Sequence, residues 1–207
     1  MTVRERLFAA VYDPMNRLAE EGWLGRRRAD LLSNATGTVL EIGAGTGANL
    51  AHYPPAVERL VVTEPSEAML DRLRPRLAEA TLPVTAVVTG AEALPYPDAW
   101  FDTVVSTLVL CTVDDPAASL AEIHRVLKPG GRLLFLEHVR DAGNLGVWQD
   151  RLQPVWTWIG VGCRPNRDTV AAIEAAGFEI ESLDPFDAPV GPLVLVRPQV
   201  QGVARAV

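Results

Sequence analysis

Cysteine is almost missing from this sequence: 207 residues contain two, Cys111 and Cys163. So few, and so far apart, they do not suggest a disulfide framework. Neither C-x-x-C nor H-E-x-x-H occurs, so no local pattern announces a metal and none is expected. Basic charge is also short, with 19 Lys and Arg against 26 Asp and Glu and a formal net charge of −7. That argues against non-specific nucleic-acid binding, which needs a basic face. The one basic run, Arg26-Arg27-Arg28, reads as a solvated helix face. No window holds the roughly 18 uninterrupted apolar residues of a membrane span. The opening Met-Thr-Val-Arg-Glu-Arg has no apolar signal region, so a cytoplasmic protein is expected.

What is present is enough for one sizeable core. The organising stretch is Thr38–Gly47, Thr-Val-Leu-Glu-Ile-Gly-Ala-Gly-Thr-Gly. Thr38–Ile42 reads as a buried strand, and Gly43-Ala44-Gly45-Thr46-Gly47 as a tight turn into a helix near 47–52. Glycine lets backbone approach a ligand closely, and a strand, glycine turn and helix N-terminus open a nucleotide-type site in an α/β sheet. Glu41 stands inside the strand, where a carboxylate needs a partner such as a ligand amine or loop N–H groups. Glu64 closes the next apolar strand, where an acidic side chain takes the two hydroxyls of a ribose.

Strands and helices then alternate, which predicts an α/β fold: a Rossmann-like open sheet, largely parallel, with helices on both faces. Strands are expected at 38–42, 59–63, 83–88, 101–107, 132–137, 178–184 and 192–197, the last two as an antiparallel edge. Ser66 is placed as the N-cap of a helix carrying Met69, Leu70, Leu73 and Leu77, and Pro116 opens another that stops at Lys128-Pro129-Gly130-Gly131. A Trp-rich loop or irregular helix is expected at 141–164, and a helix at 167–176. The expected organisation is one domain over 1–207, with helices at 1–34, a core at 35–198 and a loose tail at 199–207. The N-terminal helices are expected to break near Pro14 and Gly22–Gly25. Two readings of them stand side by side: a plain helical layer, or a lid over the ligand with Tyr12 and Asp13 at the break.

Further candidates sit at strand ends. Ala91 N–H and Glu92 follow the third strand and can meet a purine edge, or Glu92 can cap a turn. Thr107, Leu108 and Cys111 fall at the mouth of the site. Cys111 lacks a base in the local sequence and reads as apolar wall rather than nucleophile. His138, at the end of the fifth strand, reads as a base, an orienting group or a structural residue. Cys163 reads as packing under a loop, with a pocket role as the alternative.

Val39–Gly47, Glu64, Ala91-Glu92-Ala93-Leu94-Pro95 and Arg125–Gly131, in this order and spacing, resemble the motifs of class I S-adenosylmethionine-dependent methyltransferases. The resemblance implies seven strands, the last antiparallel; the N-terminal helical lid remains the expectation read from the residues before them. It implies S-adenosyl-L-methionine as donor and S-adenosyl-L-homocysteine as product. By analogy Glu41, Gly43, Ala44, Gly45 and Gly47 face the donor's methionine part, Glu64 its ribose, Pro65 or Met69 its adenine, and Ala91 and Glu92 the adenine edge. Thr107 and Leu108 close the donor side. Many relatives carry Asp where Gly90 stands, so adenine recognition here rests on Ala91 and Glu92. Thr107–Cys111, Glu137-His138-Val139, Gln153–Trp156 and Gly162-Cys163 further resemble small thiol S-methyltransferases. Phospholipid N-methyltransferases and quinone C-methyltransferases are alternatives, as is a donor-binding partner or sensor protein without catalysis. A nicotinamide-dependent oxidoreductase is disfavoured by Glu41 and Ala91–Pro95. The expected partner is a small-molecule methyl acceptor, with no nucleic acid; peripheral membrane contact through the N-terminal helices stays open. A thiol or hydroxyl acceptor must lose a proton, for which His138, Asp13 and Tyr12 are the candidate bases.

Overall fold

The computed structural model describes residues 3–207, with side-chain surroundings from residue 6 onward. Two helices, α1 (Val3–Glu20) and α2 (Trp23–Leu32), precede the sheet. Then come β1 (Gly37–Ile42), β2 (Val57–Thr63), α3 (Glu67–Glu79), β3 (Val84–Val87), β4 (Phe101–Thr107) and α4 (Pro116–Val126). The chain continues through β5 (Leu127–His138), α5 (Asn144–Ile159), α6 (Thr169–Ala175), β6 (Phe178–Asp187) and β7 (Pro198–Ala206). The strand order is β3-β2-β1-β4-β5-β7-β6. All are parallel except β7, which pairs antiparallel with both β5 and β6. The seven-stranded sheet with one antiparallel strand is therefore as expected. The chain reverses direction across the sheet between β1 and β4, and their carboxyl ends make the crevice in which such sheets bind ligands.

Two cores sit on the two faces. Leu120, Ile123 and Val126 of α4 and Ile173 of α6 pack on Leu40, Ile42, Val104 and Leu133. Leu24, Leu31 and Leu32 of α2 and Leu70 and Leu73 of α3 pack on Val39, Leu60, Val62, Val105 and Leu134. β1 and β4 are buried on both faces, which is why they read as apolar runs rather than alternations. Asp115 caps α4 by accepting from Ala118 N–H at 3.0 Å, with Pro116 behind it. Asp168 caps α6 by accepting from Ala171 N–H at 3.1 Å.

Five expectations need correction. α1 runs through Pro14 without breaking. The helix expected at 47–52 is a single 3-10 turn, Leu50–His52. Residues 144–159 form a regular helix despite Pro154. Most important, residues 199–207 are no loose tail: they supply almost all of β7, buried nearly throughout and wedged between β5 and β6. The strand expected at 192–197 is only a 3-10 turn, Val194–Val196, leading into it. Among the described residues no helix is long and apolar enough to cross a membrane.

β7 holds the sheet together at a close approach. A Cβ on Gly202 would stand 2.5 Å from Phe135 Cζ and 2.6 Å from the Ser182 carbonyl oxygen. Deleting residues 199–207 therefore exposes the β5 and β6 edges together, and a urea titration followed by circular dichroism is expected to show no cooperative transition. A truncated chain that unfolds cooperatively within about 1 kcal/mol of the full one contradicts this role.

Candidate functional site

The glycine turn after β1 takes left-handed backbone at Gly43 (φ 56°), Gly45 (φ 56°) and Gly47 (φ 88°). At Gly43 a Cβ would run into Val109, 2.7 Å away, so glycine is required there by packing. At Gly45 a Cβ would meet nothing within 4 Å: the loop opens there onto free space that a ligand can occupy. Glu64 arches over this opening. Its carboxylate accepts from Gly45 N–H at 2.9 Å and Ser66 N–H at 2.8 Å. Burial raises its pKa against those two hydrogen bonds. An acceptor-rich carboxylate beside an open glycine loop fits a ribose diol, as the donor expected from the resemblance requires.

Below the loop lies a buried polar network. Glu41 accepts from Tyr53 Oη at 2.7 Å and from Asn49 Nδ2 at 3.0 Å. Asn49 Oδ1 and Thr107 Oγ1 accept from Arg28 Nη1 at 2.8 and 2.9 Å. The opposite side of the same guanidinium grips Glu20, from Nε and Nη2, both at 3.0 Å. Burial pushes the Glu41 pKa up to about 7, while Tyr53, Arg28 and Asn49 pull it down. Such a carboxylate suits the ammonium group of an amino-acid moiety. Arg28 is only 3 % exposed, so the expectation of a solvated basic run fails at its third member. Arg28, Asn49 and Tyr53 were missed because their partners come from distant segments.

α1 crosses the loop. Asp13 accepts from Thr46 Oγ1 at 2.6 Å and from Arg76 Nη2 at 2.8 Å, which leaves it poorly placed as a free base. Tyr12 packs on Phe8 (ring centroids 5.5 Å apart) beside Met69, Ala68 and Ala9. Burial raises its pKa, so it is protonated near neutrality and is no base. Met69 is covered by α1, and Pro65 is exposed. A cavity of about 1060 Å3 runs along the flank of α1, lined by Tyr12, Asp13, Glu20, Gly47, His52 and Tyr53 among others. It adjoins the Glu41 end of the cleft rather than the Glu64 end.

Ala91 is buried in the core. Glu92 accepts from Asp114 N–H at 3.1 Å and so braces the loop before α4. That is the turn-capping reading of Glu92. Thr107 belongs to the Arg28 network, and Leu108 holds left-handed backbone (φ 61°) while donating its N–H to the Leu136 carbonyl at 2.7 Å.

At the ends of β4 and β5 the chemistry turns soft. Buried Glu137 accepts from Ser106 Oγ at 2.7 Å and from the N–H groups of Val109 and Leu110 at 3.0 Å and Cys111 at 3.1 Å. It thereby folds the 108–111 turn over the next residue, His138. The Nδ1 of His138 lies 3.4 Å from Cys111 Sγ and 3.5 Å from Cys163 Sγ. Arg164 N–H, bonding the Cys111 carbonyl at 2.7 Å, fastens the second cysteine segment to the first. Hydrogen bonding with Cys163 and burial raise the Cys111 thiol's pKa, and the same hydrogen bond lowers that of Cys163. A carboxylate inside an apolar strand was the available signal for Glu137, the same signal that singled out Glu41.

The family model described as a methyltransferase domain matches residues 40–135. Thiol S-methyltransferase TMT1B of Rattus norvegicus is 39% identical over 168 residues, 76% of this chain and 68% of the relative. Demethylmenaquinone methyltransferase of Deinococcus radiodurans is 34% identical over 151 residues, 68% of this chain and 62% of the relative. Among solved structures, an S-adenosylmethionine-dependent methyltransferase of Thermotoga maritima superposes with a TM-score of 0.70 at 25% identity, covering 97% of this chain and 96% of that one. N-methyltransferase NodS of Bradyrhizobium japonicum, bound to S-adenosyl-L-homocysteine, gives 0.66 at 19% identity, covering 93% and 88%.

The Glu41 pKa makes a pH prediction. The folded chain holds this proton up to about pH 7, while an unfolded glutamate releases it near 4.5. Between these values the folded state binds more protons, so this group's contribution to stability falls as pH rises and its penalty is complete above about 7. Relative to wild type, Glu41→Gln is expected to lose that slope, a difference on the order of 3 kcal/mol across the window. Urea unfolding of both proteins at about pH 5 and about pH 8 measures it. Parallel pH dependences contradict it.

Proposed function

The chain belongs to the S-adenosylmethionine-dependent methyltransferase family, and from that premise we propose that it methylates a small alkyl thiol at the mouth formed by Leu108–Cys111, His138 and Cys163. The donor supplies an activated sulfonium methyl group and leaves as S-adenosyl-L-homocysteine. Because the donor is already activated, the protein's task is alignment and exclusion of water.

Each part of the cleft has a task in this reading. Glu41 takes the donor's ammonium, Gly43–Gly47 its amino-acid backbone and Glu64 its ribose. Ala91 N–H is left to meet the adenine edge, since Glu92 braces the loop before α4. α1 acts as a lid, latched to the glycine loop through Asp13 and Thr46.

The observation that carries the acceptor assignment is the composition of the mouth. Two sulfurs, one imidazole and the apolar Trp156, Val190 and Val196 gather there. Such a wall is polarizable, which suits sulfur and offers no carboxylate cage for an amine. Likeness to thiol S-methyltransferases supports the same reading. A thiol must lose its proton before attack. With Asp13 paired and Tyr12 protonated, His138 is the group on which that loss depends. A quinone C-methyltransferase is the second reading, favoured by the likeness to demethylmenaquinone methyltransferase.

Methyl-labelled donor is offered with small alkyl thiols, a quinone precursor, phosphatidylethanolamine and small amines. Label is expected in the thiols. His138→Ala should lower kcat/KM for the thiol by about 100-fold or more while the Kd for the donor stays unchanged. Label in the quinone precursor or the lipid instead overturns the thiol assignment.

A further inference from the structure

Cys111, His138 and Cys163 have a geometry that neither thiol packing nor donor binding requires. Each offers one ligand atom, and the three atoms lie within 4.8 Å of one another. A tetrahedral zinc ion with Zn–S near 2.3 Å and Zn–N near 2.1 Å sets sulfur and nitrogen about 3.6 Å apart. The two Sγ···Nδ1 separations here are 3.4 and 3.5 Å. The edges of a coordination tetrahedron are thus already in place on the nitrogen side. We propose that Cys111 Sγ, Cys163 Sγ and His138 Nδ1 bind one zinc(II) ion whose fourth position takes the acceptor thiol.

Two further observations support this beyond distance. Trp156 Nε1–H is buried in the same cluster as both cysteines, and the Cys163 sulfur is the acceptor it faces. A metal-bound thiolate would be a strong acceptor for this donor, whereas a neutral thiol is a weak one. The two cysteine segments are also fixed independently of any ion. Glu137 holds Cys111 through its N–H, and Arg167 Nη1 and Nη2 hold the Leu110 and Val113 carbonyls around it. Arg164 N–H ties the Cys163 side to the Cys111 carbonyl. A preorganised pair of sulfurs loses little entropy on taking a metal.

The donor set argues for the metal and its role. Two sulfurs and one nitrogen, with both S···N separations near the tetrahedral value, select zinc over hard cations. Among the described residues the group contains no fourth His, Cys, Asp or Glu. Three protein ligands are the complement of zinc sites that keep a position open for substrate. There the acceptor R–SH gives its proton to solvent and binds as R–S⁻. A sulfur lone pair then forms the new S–CH3 bond as the bond between the methyl carbon and the donor's sulfonium breaks. Its electron pair stays on the donor's sulfur, giving neutral S-adenosyl-L-homocysteine and R–S–CH3. His138 then serves the acceptor's proton loss as a ligand of the ion.

This rests on the thiol reading above, so the test separates the two. The full-length protein is stripped with a chelator, then titrated with zinc(II) and, separately, with cobalt(II). One equivalent should bind, and the cobalt form should show intense tetrahedral d–d bands and a sulfur-to-cobalt charge-transfer band. Adding a small alkyl thiol should strengthen the charge-transfer band. Cys111→Ser and Cys163→Ser should each weaken zinc binding by about 100-fold or more, with circular dichroism showing a retained fold. Failure of wild-type protein to hold one zinc against a colorimetric chelator overturns the site, whatever the variants do. A bound ion whose cobalt spectrum ignores the thiol overturns the acceptor position. If the metal-free enzyme methylates thiols at the full rate, the zinc inference falls and the thiol reading stands. If the enzyme binds zinc yet labels only quinone or lipid, the thiol reading falls and with it the role given to the fourth position.

Discussion

One buried guanidinium holds the front of this molecule together. Arg28 joins Glu20 at the end of α1, Asn49 in the turn after the glycine loop and Thr107 at the tip of β4. Glu41 shares Asn49 with it. A buried ion tolerates such a place only when its charge and donors are answered. The constraint is reciprocal. Glu41 is held near the edge of ionisation by burial on one side and by Arg28, Tyr53 and Asn49 on the other. The cleft thus keeps a carboxylate that needs a cation close by, without leaving a bare charge in the core.

A second carboxylate organises the acceptor side by different means. Among the described residues Glu137 has no basic partner within hydrogen-bond reach; three backbone N–H groups and one hydroxyl answer it instead. The N–H groups come from Val109, Leu110 and Cys111, so the turn that seats Cys111 is built around that side chain. The two halves of the cleft meet at Thr107 and Leu108, and the left-handed backbone at Leu108 is the corner between them.

Most of the architecture is legible in the residues because parallel strands buried on both faces are apolar runs. Val39–Ile42, Leu60–Thr63 and Val104–Thr107 announce themselves, and the glycine turn between the first two fixes where the cleft lies. β7 is hidden for the opposite reason. Gln199, Gln201 and Arg205 make it look solvated, yet both glutamines are buried. Gln201 Nε2 donates to Asp30 at 2.8 Å, a bond that only tertiary contact makes. Arg28 is hidden in the same way, inside a basic run whose first member, Arg26, is exposed and whose second, Arg27, pairs with Asp184 and stacks on Phe186. Helix α1 runs on through Pro14 with Phe8, Ala9 and Tyr12 packed on Ala68 and Met69, while Leu7, Met15 and Leu18 stay exposed. In the site, the carboxylates in apolar strands were visible and their partners were not. No spacing rule joins residues 111, 138 and 163, which converge only when β4, β5 and the segment after α5 meet.

The account stands on Arg28 acting as the shared counter-ion of the cleft, and a double-mutant cycle with Glu41 tests that most directly. Arg28→Met, Glu41→Gln and the double variant are unfolded in urea at neutral pH. Arg28→Met alone should cost on the order of 3–5 kcal/mol, because it leaves buried Glu41 without its positive neighbour and unpairs half-buried Glu20. The double variant should recover at least about 1 kcal/mol relative to the sum of the singles. Additivity within about 0.5 kcal/mol would mean that the two groups do not feel each other, and Arg28 would be a strut between helices rather than the charge that sustains the cleft.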